Sequence, residues 1–339
     1  MNTTRRTVIF GVAATAAAAA VPRAHAAAGA ASPARRYRYA HVDVFTAEPL
    51  AGNPLDVFLD ARGLTDAEML AITRETFLSE ATFVFPRDAA TEREHGIRVR
   101  IFTPRGEVPF AGHPTLGTAT VLRQLRLASR RPGGEPPADL ARITLDLNVG
   151  QVPVTFTEDA SGRTFGEMRQ VPPQFGAVHD RETIAKLLNL APGDIADFAP
   201  IQTVSTGLPF AIVPLKRLST LRSLRIDADR LSAYAAEQGA DVGFYYVTRD
   251  TGDRDVALRA RCIDPDGEDA ATGSAAGCTA GWLVRHGAAT ADEPVHIRQG
   301  VEMNRPSDIY VRASRDGERI VNVRVGGHAV QTMAGELVL

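Results

Sequence analysis

Cysteine is nearly absent: Cys262 and Cys278 are the only two in 339 residues. Two thiols are too few for a disulfide framework. Export would permit a bond between them, but nothing in the sequence requires one. Nothing in the sequence suggests the clustered basic surface that nucleic-acid binding needs, so no nucleic-acid partner is expected. Past the N-terminus there is no long apolar run, so the mature chain is not expected to enter a membrane. Missing too are a G-x-G-x-x-G turn after a strand, a Walker A loop, H-E-x-x-H and C-x-x-C, and a G-x-S-x-G elbow. The eight histidines are scattered without metal-ligand spacing. Nucleotide, zinc and serine-hydrolase chemistry are therefore weak readings, and no metal is expected.

What is present is a globular composition, 44% apolar and 23% charged, with length enough for two domains with well-buried cores. Residues 1–26 read as a targeting segment. Thr4-Arg5-Arg6 precedes an apolar, alanine-rich stretch from Thr7 to Val21, and Ala24-His25-Ala26 fits a small-residue cleavage site. That stretch is shorter than the roughly 20 residues a membrane span needs. The arginine pair with Val8-Ile9 behind it favours the twin-arginine route over a general secretory signal that happens to hold two arginines. The mature protein is then expected in the periplasm or outside the cell, and in the cytoplasm only if the signal goes unused. Removing Arg5, Arg6 and Arg23 takes the formal net charge from −2 to −5.

The chain also resembles itself. Residues 98–122, RVRIFTPRGEVPFAGHPTLGTATVL, align without a gap on residues 259–283, RARCIDPDGEDAATGSAAGCTAGWL, 161 positions later. Nine of 25 positions are identical: Arg98, Arg100, Pro104, Gly106, Glu107, Gly112, Thr118, Ala119 and Leu122 fall on Arg259, Arg261, Pro265, Gly267, Glu268, Gly273, Thr279, Ala280 and Leu283. The same offset sets Glu80 against Asp241 and Phe83 against Phe244. Two copies at so long a period predict two like domains rather than a solenoid, with a small-molecule site in the cleft between them.

Local signals predict the elements. Tyr37–Phe45 and Leu55–Leu59 read as strands with Gly52-Asn53-Pro54 as their turn. Thr65-Asp66-Ala67-Glu68 is a capping box opening a helix to about Phe77. Strands are expected at Ala81–Phe85 and Ile97–Phe102, then a helix from about Pro114 to Leu127 and a loop or linker over 128–138. Further strands are expected at 142–148 and 152–157, near 201–205 and 210–214, at 242–248 and 256–263, and at four closing positions (294–299, 308–313, 319–325 and 328–332). Helices are expected near 180–189 and 226–237, and from Gly273 to His286. The sum is an α+β fold of two similar domains, each a mostly antiparallel sheet around one central small-residue helix. The expected divisions are the export segment 1–26, a first domain over 37–157 and a second over 165–339, whose last strand can pack back on the first.

The two turn-to-helix junctions of the repeat are the strongest site candidates. Phe110-Ala111-Gly112-His113 opens one central helix and Asp269-Ala270-Ala271-Thr272-Gly273-Ser274 the other. A helix start offers unpaired N–H groups and partial positive charge, so two in one cleft would hold a carboxylate or developing oxyanion. The plainer reading is that Thr272 and the glycines merely cap core helices. Asp269 by itself reads as a cap or turn residue. His113, at a helix start, would be held neutral and able to exchange a proton, although a lone histidine is more often structural. Glu80, between a helix and an apolar strand, could be desolvated into a useful base; a solvated loop glutamate is the simpler alternative.

Together these segments resemble the phenazine-biosynthesis PhzF family, which shares the diaminopimelate-epimerase fold. The resemblance runs from about Tyr37 to Leu339. It rests on Asp43-Val44-Phe45, Gly52-Asn53-Pro54, Leu78-Ser79-Glu80-Ala81-Thr82-Phe83, Ile101-Phe102-Thr103-Pro104 and Phe110-Ala111-Gly112-His113-Pro114. It continues through Glu268-Asp269-Ala270-Ala271-Thr272-Gly273-Ser274-Ala275-Ala276-Gly277 and Gln299-Gly300-Val301-Glu302. It implies an active site between the domains. It also implies an isomerase that moves a proton on a substrate like trans-2,3-dihydro-3-hydroxyanthranilate, without cofactor or metal. The family's catalytic glutamate would be Glu80, assisted by His113 and Asp269, with substrate held by backbone N–H groups of Gly112, Gly273 and Ser274 and by Asn53. A small carboxylate is then the expected partner, and a homodimer a family expectation. Racemases of the same superfold place two cysteines beside these helix starts, where this chain has Phe110-Ala111 and Ala270-Ala271. An export signal departs from a cytoplasmic phenazine pathway and leaves the substrate open. A non-catalytic exported carboxylate-binding protein is the competing reading, and a racemase working through Glu80 and Asp269 a further one.

Overall fold

Thr65 opens its helix as a capping box: its hydroxyl accepts from the Glu68 N–H at 3.2 Å while the Glu68 carboxylate accepts from the Thr65 N–H at 2.8 Å. A computed structural model describes residues 34–129, 138–237, 242–264 and 267–339. The export segment, most of the expected 128–138 loop, and the repeat positions Asp241 and Pro265 lie outside these residues. The Thr65-capped helix spans Asp66–Glu75 and stops short of Phe77, which takes φ 54°, away from the right-handed helical region.

Strands with one apolar face build a single hydrogen-bonded sheet that curls around two helices. Ile97–Thr103 and Arg142–Leu147 alternate between buried and half-buried or exposed positions. Arg36–Val44 pairs antiparallel with Asn53–Phe58 on one side and with the last strand, Ala329–Val338, on the other. The ladder continues through Ala81–Phe85, Ile97–Thr103, Arg142–Leu147, Gly150–Glu158 and Thr164–Arg169. From there it passes to Arg319–Gly327, Ser307–Asp316, Val295–Gln299, Leu258–Asp264, Gly243–Thr248, Pro209–Leu215, Gln202–Ser205 and Gln174–Val178. Most pairs are antiparallel.

The helix Gly112–Ala128 lies in the first arc of this sheet and Gly273–Arg285 in the second. Every residue from Gly112 to Val121 and from Gly273 to Val284 is buried. A helix buried on all sides cannot carry a polar face, which accounts for the small and apolar residues seen in both. Leu116 and Trp282 are fully buried, and the Trp282 indole donates to the Pro200 carbonyl at 2.9 Å. Truncating a core side chain such as Leu116 to alanine costs roughly 2–5 kcal/mol.

The segments that align in sequence carry matching elements. The hairpin Ile97–Thr103/Gly106–Val108 leads into one central helix and Leu258–Asp264/Gly267–Asp269 into the other. Each hairpin is clasped by a two-pronged ion pair, Arg100 on Glu107 and Arg261 on Glu268.

Some elements differ from expectation. Asn53 and Pro54 start a strand instead of forming the turn, because Asn53 pairs with Val44 and Pro54 with Asp43. The parallel neighbour pairs only from Asp56 on, so Pro54 sits where that side of the ladder is still open. The reversal occupies residues 45–52, where Phe45, Leu50 and Gly52 take φ of 63°, 67° and 67°. The helices Ala89–His95 and Leu218–Ser223 and the strands Thr164–Arg169 and Gln174–Val178 were not expected. Ala89–His95 buries no residue, so it has no apolar stripe to read. Gly166 interrupts the pattern of its strand because a Cβ there would meet Leu116 Cδ1 at 2.5 Å. No helix of the described residues is long and apolar enough to cross a membrane.

Candidate active site

The two central helices begin against each other. A Cβ on Gly112 would stand 2.8 Å from Gly273 Cα and 2.9 Å from the Ser274 nitrogen, so only glycine permits the approach. Ala111 and Thr272 are the N-cap residues, and neither side chain caps its helix. First-turn N–H groups have no acceptor within their own helix. Two positive helix ends therefore face the same cavity, of about 890 Å³, which is lined by Ala111–His113 and Ala271–Ser274. The reading of Thr272 as a simple cap is corrected here: its hydroxyl donates to Asp269 Oδ2 at 2.7 Å.

Four side chains from separate elements converge beside these helix starts. Glu80 ends the bend that leads into Ala81–Phe85, and His113 is the second residue of its helix. Asn53 opens its strand, and Asp269 closes the short strand Gly267–Asp269. The Asn53 amide donates to Asp269 Oδ1 at 2.7 Å and to the Ala271 carbonyl at 3.0 Å, and lies 3.2 Å from His113 Nδ1. An amide nitrogen only donates, and its two hydrogens serve these three acceptors; when one of them turns to Nδ1, the neutral ring carries its own hydrogen on Nε2. That Nε2 lies 3.5 Å from Glu80 Oε2. Both atoms are buried without a hydrogen-bond partner, an arrangement that is costly unless a ligand completes it.

Burial sets the protonation states. It pushes Glu80 up to about 8, reinforced by the Asp269 carboxylate and opposed by a hydrogen bond from Ser79. The Glu80 side chain keeps 18% exposure, but its Oε2 is covered. Burial draws His113 down to about 4, against the pull of Asp269, so the imidazole is neutral near pH 7. Cys262, also on the cavity wall, is held well above the usual thiol range by burial and by Asp264 and Asp269. Cys278 is pushed up to about 11 by burial. Neither thiol is poised as a thiolate. Among the described residues no three His, Cys, Asp or Glu side chains are grouped to hold a metal. A second hollow, of about 680 Å³ and lined by Arg222, Arg225 and Glu302, shares only Glu268 with the cavity.

The model of the phenazine biosynthesis-like protein family, PhzC-PhzF, matches residues 42–335. The chain belongs to the PhzF family. An uncharacterised isomerase of Mesorhizobium japonicum is 37% identical to it over 308 residues, 88% of this chain and 98% of the relative. The trans-2,3-dihydro-3-hydroxyanthranilate isomerase of Pseudomonas aeruginosa is 33% identical over 309 residues, 89% of this chain and 100% of the relative. Among solved structures, a PhzF-family phenazine biosynthesis protein of Bacillus anthracis superposes with a TM-score of 0.77 at 26% identity, covering 90% of this chain and 100% of that one. The PhzF chain is thus an isomerase with the α+β, diaminopimelate-epimerase-like fold.

Within this PhzF fold, Glu80, His113, Gly112, Gly273 and Ser274 line the cavity together with Asp269, and Asn53 ties Asp269 to His113. Other builders of the site escaped the sequence reading. Leu208 and Phe210 form apolar wall from a segment with no chemical motif. Gln299 is fully buried and bonds both Asp269 and Thr272; its place in the Gln299-Gly300-Val301-Glu302 motif was a signal without a role.

Proposed function

We propose that this PhzF-family isomerase moves a proton on a small unsaturated carboxylate, with Glu80 as the group that removes and returns it. One observation carries the reading: Glu80 Oε2 and His113 Nε2, both buried and unpartnered, face each other at the wall of a cavity floored by two uncapped helix starts. The substrate carboxylate would lie on the N–H groups of Gly112, Gly273 and Ser274. The ionised Glu80 takes a C–H proton next to the unsaturated system. Charge then developing on oxygen meets donors already in place, each worth roughly 10² to 10³ in rate. The protonated Glu80 returns the proton at another carbon, so bonding shifts with no net oxidation. His113 donates through Nε2, and Asp269 raises the basicity of Glu80. A general base of this kind contributes about 10² to 10⁴.

Trans-2,3-dihydro-3-hydroxyanthranilate, the substrate named for the P. aeruginosa relative, is the first compound to try. The N-terminal segment 1–26, read as an export signal, would bring the folded enzyme to substrates outside the cytoplasm. Proton NMR in D₂O of the chain from residue 27 onward, beside Glu80→Gln, tests the assignment. Loss of substrate signals with deuterium uptake, absent in the variant, supports it. Turnover surviving in Glu80→Gln sinks the role of Glu80. Binding without turnover in either protein would favour a carboxylate-binding protein instead.

A further inference from the structure

Gln299 and Arg305 lie at the two ends of one tight loop and reach opposite sides of the Asn53–Asp269 bond. The Gln299 amide nitrogen donates to the Asp269 carbonyl at 2.8 Å and to Thr272 Oγ1 at 2.9 Å. Its oxygen accepts from the Thr272 N–H at 3.0 Å and from the Tyr245 hydroxyl at 2.9 Å. A fully buried amide with four bonds has no freedom left. Arg305 holds the other side: Nε donates to the Gly52 carbonyl at 2.9 Å, and NH2 to the Ala51 carbonyl at 2.7 Å and to Asp43 Oδ1. Asp43, 1% exposed, also accepts from the Leu50 N–H at 2.7 Å, so the loop that delivers Asn53 is clamped from both ends. The connecting loop is itself closed: the Arg305 N–H donates to the Gly300 carbonyl at 3.0 Å. Gly300 sits at φ 75°, where a Cβ would strike Arg305 O at 2.3 Å and Ala270 O at 2.5 Å.

We propose that Gln299 and Arg305 are positioning residues which, through this loop, hold Asp269 and Asn53 in register, and that neither touches substrate. Neither lines the cavity. Their effect on turnover rests on the proton-transfer reading above; their effect on the Asn53 amide does not. The test therefore reads that amide first. In the ¹⁵N-labelled chain the two Asn53 side-chain protons are assigned by their disappearance in Asn53→Ala. In Gln299→Met and in Arg305→Lys the thermal melt stays cooperative while exchange of the Asn53 amide protons accelerates about tenfold, the loss of one bond of ordinary net strength. The double variant exchanges no faster than the worse single one, because both changes release the same bond. If Gln299→Met does not fold, Gln299→Glu keeps an oxygen that accepts from Tyr245 and Thr272 while replacing the donating nitrogen with a carboxyl oxygen. Wild-type protection in either folded variant overturns the proposal, and so do losses that multiply in the double variant. With a turned-over substrate in hand, kcat falls in the same order while KM stays within about threefold, as expected for groups that act on the reacting geometry. A change in KM alone would assign the residues to substrate binding and reject the positioning role.

Discussion

Gly112 and Gly273 meet backbone to backbone, with the place for a Gly112 Cβ only 2.9 Å from the Gly273 carbonyl carbon. No flexible side chain can yield there, so Gly112→Ala must push the two helix starts apart. Overpacking of this kind costs about 1–3 kcal/mol, and here it also misaligns the donors that floor the cavity. Thermal melts should fall and affinity for small carboxylates should fall with them. Gly193→Ala, where nothing lies within 4 Å of the new Cβ, should leave both unchanged.

Glu80→Gln should lose about 10² to 10⁴ in turnover yet gain stability at alkaline pH. Folding raises the Glu80 pKa from 4.5 to about 8. Below pH 4.5 both states keep the proton and the site costs little. Between 4.5 and 8 the unfolded chain releases a proton that the folded chain retains, so stability is lost as pH rises. The variant should therefore match the wild type near pH 4 and melt higher near pH 8. His113, lowered from 6.5 to about 4, has the opposite sign: its contribution is present above pH 6.5 and fades as pH falls through about 4. Urea melts across pH 4 to 9 separate the two, and a Glu80→Gln difference that did not change with pH would remove the buried-acid account.

Asp269→Asn should shift the pH profile rather than simply abolish activity. The Asp269 charge is the second cause of the rise at Glu80, after burial. For wild type, kcat/KM should climb with pH toward a plateau above about 8, as Glu80 ionises in the free enzyme. Removing the neighbouring charge lowers the Glu80 pKa, so the climb should move to lower pH. The plateau itself should fall, because the weaker base takes the C–H proton less readily. A climb that stays in place would mean that burial alone sets the basicity.

Local chemistry was easy to read in this sequence, and long-range pairing was not. The Thr65 capping box and the alternating strands follow from neighbours a few residues apart. The paired glycines Gly112 and Gly273 stood out as identities in the aligned segments, although a Cβ on Gly112 would meet the Gly273 backbone and one on Gly273 the Phe45 ring. The clasps Arg100–Glu107 and Arg261–Glu268 likewise left identities in the aligned segments. The bond from Asn53 to Asp269 joins residues 216 apart, and no local pattern announces it; their grouping came from family resemblance. Leu208 and Phe210 are apolar residues like any others until the fold turns them toward the cavity. The missed Ala89–His95 helix has a different cause: its Asp88 cap is local, but with no buried residue the helix has no apolar period to read.

The thiols offer the cleanest separation of this enzyme from two-cysteine racemases. Cys262 stands on the cavity wall beside Asp264 and Asp269, and Cys278 lies inside the second central helix, 3.4 Å from Thr206 Oγ1. Burial raises both pKa values, that of Cys278 to about 11. At pH 7.5 neither supplies thiolate, the form that attacks carbon or alkylating reagents. Iodoacetamide should therefore leave activity intact over times that inactivate an ordinary active-site cysteine. Cys278→Ala should keep kcat/KM within about threefold, since it removes a small buried side chain away from the reacting atoms. Cys262→Ala should do the same, with any loss appearing in KM, because this residue forms part of the wall. Rapid inactivation by the reagent, or a fall of a hundredfold or more in either variant with its fold retained, would reinstate a thiol as the acid or base and displace Glu80 from that role.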